Sequence, residues 1–203
     1  MTSATIDAYD HYAQLYDQEV IEFWEMFPKT TLEAFRSRLA GPKVLDLGSG
    51  SGRDALLLRD LGLEATCVDA SIEMVKMTHK LGFESIHADF ETMDFTDGAF
   101  DGVWAYTSLI HVASEQVTAA LKKVHRYLQP QGVLAIGVII GDGEAINERK
   151  SMPGAKRYFK YYSADELEKL VTSEGFTLEY SETYDPPNNP KHHEYLTQVF
   201  RKI

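Results

Sequence analysis

The chain has 203 residues, 44% of them hydrophobic, and carries a formal net charge of −11 from 31 Asp and Glu against 20 Lys and Arg. That length and apolar content suit one globular domain with a full core, and the acidic balance argues against a nucleic-acid backbone as partner, which needs clustered cations. The longest aliphatic run, Gly132–Gly141, is too short to cross a bilayer, no secretory pattern begins the chain, and the single Cys67 cannot form an internal disulfide, which points to the cytoplasm.

Ile6–Phe27 carries Tyr9, Tyr12, Ala13 and Tyr16 at three- and four-residue spacings, which predicts an amphipathic helix. Pro28 interrupts it, Lys29–Leu39 offers a second helix, and Gly41-Pro42 stops that one. Lys43–Leu58 then reads K-V-L-D-L-G-S-G-S-G-R-D-A-L-L-L. Val44–Leu47 predicts a buried parallel strand. Gly48, Gly50 and Gly52 predict a tight turn that a ligand can approach without Cβ interference. Helical spacing resumes over Arg53–Leu61. Strand, glycine turn and helix N-terminus together make a ligand cradle at the carboxyl end of a sheet. In the dinucleotide pattern G-x-G-x-x-G the third glycine falls one residue later, and here Asp46 precedes the first. A carboxylate at the turn repels a pyrophosphate and suits a ligand with an amino group, which disfavours a nicotinamide-dependent oxidoreductase.

Leu63–Val68 predicts a second strand ending in Asp69, which lies 21 residues after Gly48, where an acid binds ribose hydroxyls in nucleotide-binding βαβ units. Ser71 suits an N-cap for a helix over Ile72–Lys80 that contains Met74. Ser85–Ala88 gives a third strand, ending in Asp89-Phe90. Phe100–Ala105 gives a fourth, running into Tyr106 and on to His111. A helix over Val117–Leu128, a turn at Gln129–Gly132 and a fifth strand over Val133–Ile140 follow. Gly141–Tyr162 reads as irregular chain with a cationic cluster that includes Arg149 and Arg157. A Ser163-capped helix ends at Gly175, and Thr177–Thr183 and Glu194–Phe200 close the chain as strands. This alternation predicts an α/β fold with a doubly wound, mostly parallel sheet, and the short last connection allows an antiparallel final strand. The seven histidines lack zinc-type spacing, so no metal is expected.

Asp46–Gly52 resembles motif I of class I S-adenosylmethionine-dependent methyltransferases. Further features recur in that family's order: Y-D-x-x-A-x-x-Y-D from Tyr9-Asp10 to Tyr16-Asp17, the acids Asp69 and Asp89, F-D-G-V from Phe100, and R-Y-L-Q-P-Q-G-V-L from Arg126. The last has Gln131 where the family usually has Gly. The chain is similar to small methyltransferases of the type 11/25 kind. The resemblance implies a Rossmann-like, seven-stranded sheet with an antiparallel last strand. It implies one methyltransferase domain over 1–203, with residues 1–40 as a helical lid segment on a 41–203 core. It implies S-adenosyl-L-methionine as cofactor, leaving as S-adenosyl-L-homocysteine, and in-line methyl transfer to a small-molecule acceptor, with neither nucleic acid nor membrane as partner.

The cofactor residues so implied are Tyr16, Asp46, Gly48, Ser49, Gly50, Gly52, Arg53, Asp69, Ala70, Met74, Asp89, Phe90 and Ala105, with Asp69 on the ribose and Asp89 on the adenine amine. The acceptor residues expected are Tyr12, Tyr106, His111, Arg149, Arg157, Tyr158 and Tyr161. His111 follows the fourth strand at the ligand-facing edge, where a neutral imidazole can take an acceptor's proton, and it is the candidate catalytic residue; the alternative is a histidine that only shapes the pocket or bonds to backbone. The arginines suit an anionic acceptor. A methyltransferase acting on a protein or RNA, and a non-catalytic regulator that binds the cofactor, are the alternatives.

Overall fold

A computed structural model describes residues 1–149, 152–187 and 193–203. Helices α1 (Ser3–Glu25) and α2 (Lys29–Arg36) precede strand β1 (Lys43–Leu47). Next come α3 (Arg53–Asp60), β2 (Glu64–Asp69), α4 (Ile72–Lys80), β3 (Glu84–His87) and β4 (Phe100–Tyr106). A 3₁₀ turn at Leu109–His111 leads into α5 (Ser114–Tyr127) and β5 (Leu128–Ile139). The chain closes with β6 (Glu144–Arg149), β7 (Met152–Lys160), α6 (Ala164–Thr172), β8 (Phe176–Tyr184) and β9 (Tyr195–Lys202).

Seven strands form one sheet in the order β3-β2-β1-β4-β5-β9-β8. β1 pairs in parallel with β2 on one side and β4 on the other, and β9 runs antiparallel to both β5 and β8. The expected antiparallel last strand is therefore present. The chain reverses its winding between β1 and β4, and the crevice at the carboxyl ends of two such strands is where open α/β sheets take ligands.

The sheet is covered on both faces, and its residues alternate between them. Leu45, Leu47, Val103, Ala105, Leu134 and Ile136 pack with Val117, Leu121 and Val124 of α5 and Leu167 and Val171 of α6. Val44, Trp104, Tyr106, Val133 and Ala135 pack with Phe27, with Leu32 and Phe35 of α2, and with Leu39. Each buried aliphatic or aromatic side chain contributes about 1.5–3 kcal/mol relative to exposure.

Two sequence expectations change. The segment read as irregular, Gly141–Tyr162, contains an antiparallel hairpin of β6 and β7, with Ala145 opposite Phe159 and Asn147 opposite Arg157. Its alternation is hidden because a charged residue sits on the buried face: Arg157 is 1% exposed and Phe159 8%. Helix α1 begins three residues before the predicted start, where Thr2 accepts a bond from the Thr5 N–H, and it kinks at Tyr12 (φ −112°, ψ 19°). The expected turn at Gln129–Gly132 survives as an excursion, since Leu128 still pairs with Phe100 and Val133 with Gly102.

Candidate active site

The loop after β1 is fastened to the end of β2. The N–H groups of Gly48 and Ser49 donate to the Val68 carbonyl at 2.8 and 3.0 Å. Gly48, Gly50 and Gly52 all have positive φ (76°, 50° and 85°), which costs a residue with a Cβ about 1–2 kcal/mol. Their roles differ. A Cβ on Gly48 would stand 2.3 Å from the Ser108 Cβ, so this glycine admits the chain leaving β4. A Cβ on Gly50 would meet only the Tyr16 ring, at 3.9 Å, so this is the loop's open side. Gly52 precedes α3 without a side-chain cap, and although the Ala55 N–H donates to Asp54 Oδ1 at 3.1 Å, the N–H groups ahead of it suit an anion.

Asp69 braces this loop from within. Its Oδ2 accepts from the Gly50 N–H and its Oδ1 from the Ser71 N–H, both at 2.8 Å. Burial raises its pKa, although those two N–H groups pull the other way. Ser71 caps α4 by accepting from the Met74 N–H at 3.2 Å, and its own hydroxyl donates to Asp10 at 2.6 Å.

Asp10 belongs to α1, which lies across the site. Each member of the two Tyr-Asp pairs in that helix has a contact there. Asp10 also accepts from the Glu73 N–H at 3.2 Å. Asp17 takes Nε and Nη2 of Arg53, both at 2.7 Å. Burial pushes the Asp17 carboxyl up, and the Arg53 guanidinium beside it more than reverses this, leaving it below the usual carboxylate range. Tyr16 packs edge-on to Tyr9 with centroids 5.1 Å apart.

Tyr9 starts a buried polar chain whose hydrogen positions follow from its chemistry. Arg157 Nη1 donates to Tyr9 Oη at 3.0 Å, because a guanidinium has no acceptor. His111 Nδ1 lies 2.7 Å from the Tyr158 carbonyl, which only accepts, so Nδ1 carries a proton. In neutral His111 the other nitrogen, Nε2, is then an acceptor, and Tyr9 Oη at 2.8 Å donates to it. Arg157 is buried, and its guanidinium lies 5.3 and 5.0 Å from the ring centres of Tyr9 and Phe159. Among the described residues it has no carboxylate partner, and its Nε has no hydrogen bond.

Beneath the glycine loop lie two buried carboxyl groups, Asp46 and Asp54. Burial, and then the nearby Asp54 charge, raise the Asp46 pKa well above the usual range, and burial pushes Asp54 up to about 7. The two groups titrate as a pair, and burial favours their neutral forms. Neither oxygen of Asp46 is hydrogen-bonded to other described residues, nor are the hydroxyls of Ser49 and Ser108.

These elements line a partly open cavity with about 50 Å³ of space for the centres of water molecules. Of the expected residues, Tyr16, Gly48, Ser49, Gly50, Arg53, Asp69, Met74, Tyr106 and His111 line it. Asp46, Gly52 and Ala70 lie behind that wall. Phe90 and Ala105 are core residues. Asp89 is turned into its own loop, where Oδ1 accepts from the Glu91 and Thr92 N–H groups at 2.9 and 2.8 Å. Tyr12 donates to the Pro153 carbonyl, and Tyr161 accepts from Asn147, both at 2.9 Å. Neither Tyr12 nor Tyr161 lines the cavity, nor does Tyr158. Arg157 reaches the cavity only through Tyr9. The Arg149 side chain lies outside the described residues. Among the lining residues that sequence reasoning missed are Tyr9, Trp24, Asp54, Ser71 and Ser108. For Tyr9 a signal was present, since it opens the Y-D-x-x-A-x-x-Y-D pattern.

The family described as "Methyltransferase domain" matches residues 45–136, from the middle of β1 into β5. The O-methyltransferase resE of Aspergillus sclerotiorum is 26% identical over 91% of this chain and 80% of its own length. The ubiquinone biosynthesis O-methyltransferase of Xanthomonas oryzae is 32% identical over 51% of this chain, which spans about half (46%) of that enzyme. Among solved structures, the Burkholderia thailandensis 1,6-didemethyltoxoflavin-N1-methyltransferase superposes with a TM-score of 0.75 at 24% identity, covering 98% of this chain and 88% of that one. A likeness at that identity speaks for the fold. Domain match, sheet order and glycine loop together resemble those of class I S-adenosylmethionine-dependent methyltransferases. The residues present fit that cofactor: the start of α3 for its carboxylate, the Asp54 carboxyl on the wall with Asp46 behind it for its ammonium, and an open Gly50.

Proposed function

We propose that this protein methylates a hydroxyl group of a small organic molecule, with residues 1–203 acting as one unit and residues 1–40 as its lid, in the cytoplasm. The observation that carries this reading is the cavity itself. One wall is the glycine loop with Asp69, and the other is aromatic and polar, built from Tyr9, Tyr16, Trp24, Tyr106 and His111. The hydroxyl acceptor is favoured by the names of the two relatives reported above, both O-methyltransferases. No helix among the described residues is long and apolar enough to cross a membrane.

When bound, S-adenosylmethionine supplies an electrophilic methyl group on its sulfonium, transferred in line to the acceptor. The first α3 N–H groups and Arg53 receive its carboxylate. Asp54 on the cavity wall, with Asp46 behind it, would offer carboxyl oxygens to its ammonium. Asp69 keeps acceptor capacity on both oxygens for ribose hydroxyls, and Met74 offers an apolar surface to the adenine. The Asp89 carboxylate has its second oxygen left for the adenine amine. Tyr106 and His111 border the acceptor. The chain's main work is alignment in a dry cavity, worth up to roughly 7–11 kcal/mol when geometry is ideal.

Calorimetry with S-adenosylhomocysteine, followed by methyl-labelled S-adenosylmethionine against a panel of phenols, alcohols and amines, tests the proposal. Saturable binding and a methylated phenol or alcohol are expected. Methylation of amines alone would overturn the hydroxyl assignment, and labelling only of added protein or RNA would replace the small molecule.

A further inference from the structure

We propose that Tyr9 is the residue that takes the acceptor's proton, passing its own to His111, with Arg157 holding the Tyr9 oxygen in place and stabilising the charge that develops on it. The proposal rests on the hydroxyl-methylation reading and adds the proton path to it.

Three observations carry it. The first is access. Tyr9 and His111 both line the cavity, but His111 Nε2 is already occupied by the Tyr9 hydroxyl at 2.8 Å. An acceptor therefore meets the Tyr9 oxygen before it meets a free imidazole nitrogen. The second is direction. With Nδ1–H fixed on the Tyr158 carbonyl, Nε2 is the only ring position able to gain a proton, and the Tyr9 O–H already points at it. The third is charge. A buried guanidinium without a carboxylate partner is costly. Here Arg157 donates to Tyr9 Oη and lies 5.3 Å from the centre of its ring. Negative charge developing on Tyr9 gives that cation its counterpart at the moment of reaction, the kind of fixed electrostatic stabilisation that is worth most in a water-poor site.

The step balances. The acceptor's oxygen forms a bond to the methyl carbon as the carbon–sulfur bond breaks, its electron pair staying on sulfur. The acceptor O–H proton moves to Tyr9 Oη, and the Tyr9 proton moves to His111 Nε2. The positive charge lost from sulfur reappears on the imidazolium, whose Nδ1–H stays on the Tyr158 carbonyl. Tyr9 is thus the catalytic group in contact with the acceptor, His111 the proton store, and Arg157 a positioning residue.

Two measurements test this, one of which needs no turnover. In the protein loaded with S-adenosylhomocysteine, ¹⁵N spectra of the His111 ring should show the Nδ1–H tautomer near neutral pH, and Tyr9→Phe should move the Nε2 resonance while leaving Nδ1 nearly in place. An Nε2–H tautomer in the wild type, or unchanged Nε2 in Tyr9→Phe, overturns the relay. For turnover, catechol and 4-hydroxybenzoate serve as probes. Tyr9→Phe should lower kcat by about 10²–10⁴-fold, the usual range for losing a general acid–base group, with S-adenosylhomocysteine affinity unchanged. The solvent deuterium isotope effect on kcat should disappear with it. Arg157→Met should lower kcat in the same sense, and Arg157→Lys should restore part of it. Wild-type kcat in Tyr9→Phe overturns the proposal. If the wild type methylates neither probe, turnover is measured on the hydroxyl compound that the panel returns; methylation of amines alone would sink the hydroxyl reading and this proton path with it, while the ¹⁵N spectra decide the Tyr9–His111 pair separately.

Discussion

Asp17 grips one edge of the Arg53 guanidinium with both carboxylate oxygens at 2.7 Å, and so ties helix α1 to the first residue of the helix behind the glycine loop. Both side chains are partly solvent-exposed, so such a pair adds about 0–1 kcal/mol to global stability. Its effect lies in how often α1 lifts. Helix α1 supplies Tyr9, Tyr16 and Trp24 to one wall of the cavity, so with residues 1–40 proposed as the lid the effect is expected on ligand entry.

Asp17→Asn should therefore leave the melting temperature nearly unchanged while amide exchange across Ser3–Glu25 speeds up several-fold. The wild-type tie has its own pH window. The folded pKa of Asp17 lies below its unfolded value of 3.8, so the stabilisation is complete above that value and is lost as pH falls through the lower, folded one. Exchange in α1 that is the same in both proteins at neutral pH would show that the ion pair does not hold the helix down.

The glycine loop separates packing from ligand approach. Gly48→Ala should cost stability well beyond the left-handed penalty of about 1–2 kcal/mol, because its Cβ would collide with the Ser108 Cβ at 2.3 Å. Gly50→Ala carries a similar backbone penalty and no collision. It should fold and bind S-adenosylhomocysteine more weakly. Urea unfolding and calorimetry on both proteins check this, and equal losses of stability would refute the division.

Asp69 has structural work besides any ribose contact. Asp69→Ala would strand the Gly50 and Ser71 N–H groups, at a cost of about 1–3 kcal/mol for each. Both stability and S-adenosylhomocysteine affinity should fall in Asp69→Ala. Asp69→Asn keeps one acceptor oxygen and should recover part of the stability, though less of the affinity. Full stability in Asp69→Ala would mean that the brace is not formed in solution.

Asp54 sets a pH dependence with a definite sign. Its folded pKa, about 7, lies above the unfolded value of 3.8, so between those values the folded state holds the extra proton. Stability therefore falls as pH rises through that window. Asp54→Asn should make the decline shallower and raise stability at pH 8 relative to the wild type, with Asp46 left as the remaining source of pH dependence. Urea unfolding at pH 5 and pH 8 measures both slopes. Parallel slopes in the two proteins would remove Asp54 as the source.

The parts of the fold that were legible in the sequence are those where burial and chemistry agree. Val44–Leu47 is apolar and buried, the three glycines have left-handed backbone, and Asp69 ends its strand beside the loop. The hairpin was hidden because its buried face carries Arg157, so the period of two ran against polarity. Asp54 was read as one residue of a helical start, because nothing local tells a solvated carboxylate from one sealed beside Asp46. Asp89 does more than its place at a strand end shows. An acid at a strand end can also cap its own turn, and this one does.

The cavity's two walls come from different stretches of chain. The glycine loop, Asp69, Met74 and the residues after β4 fall within positions 45–136, the span shared with other methyltransferase domains. The opposing wall is Tyr9, Tyr16 and Trp24 of α1, backed through Tyr9 and His111 by β7, and both of those elements fall outside that span. Neither α1 nor the hairpin is a strand of the main sheet. Selectivity could thus be re-engineered by transplanting a helix and a hairpin as cassettes, with the donor-binding scaffold and its seven-strand register left as they are.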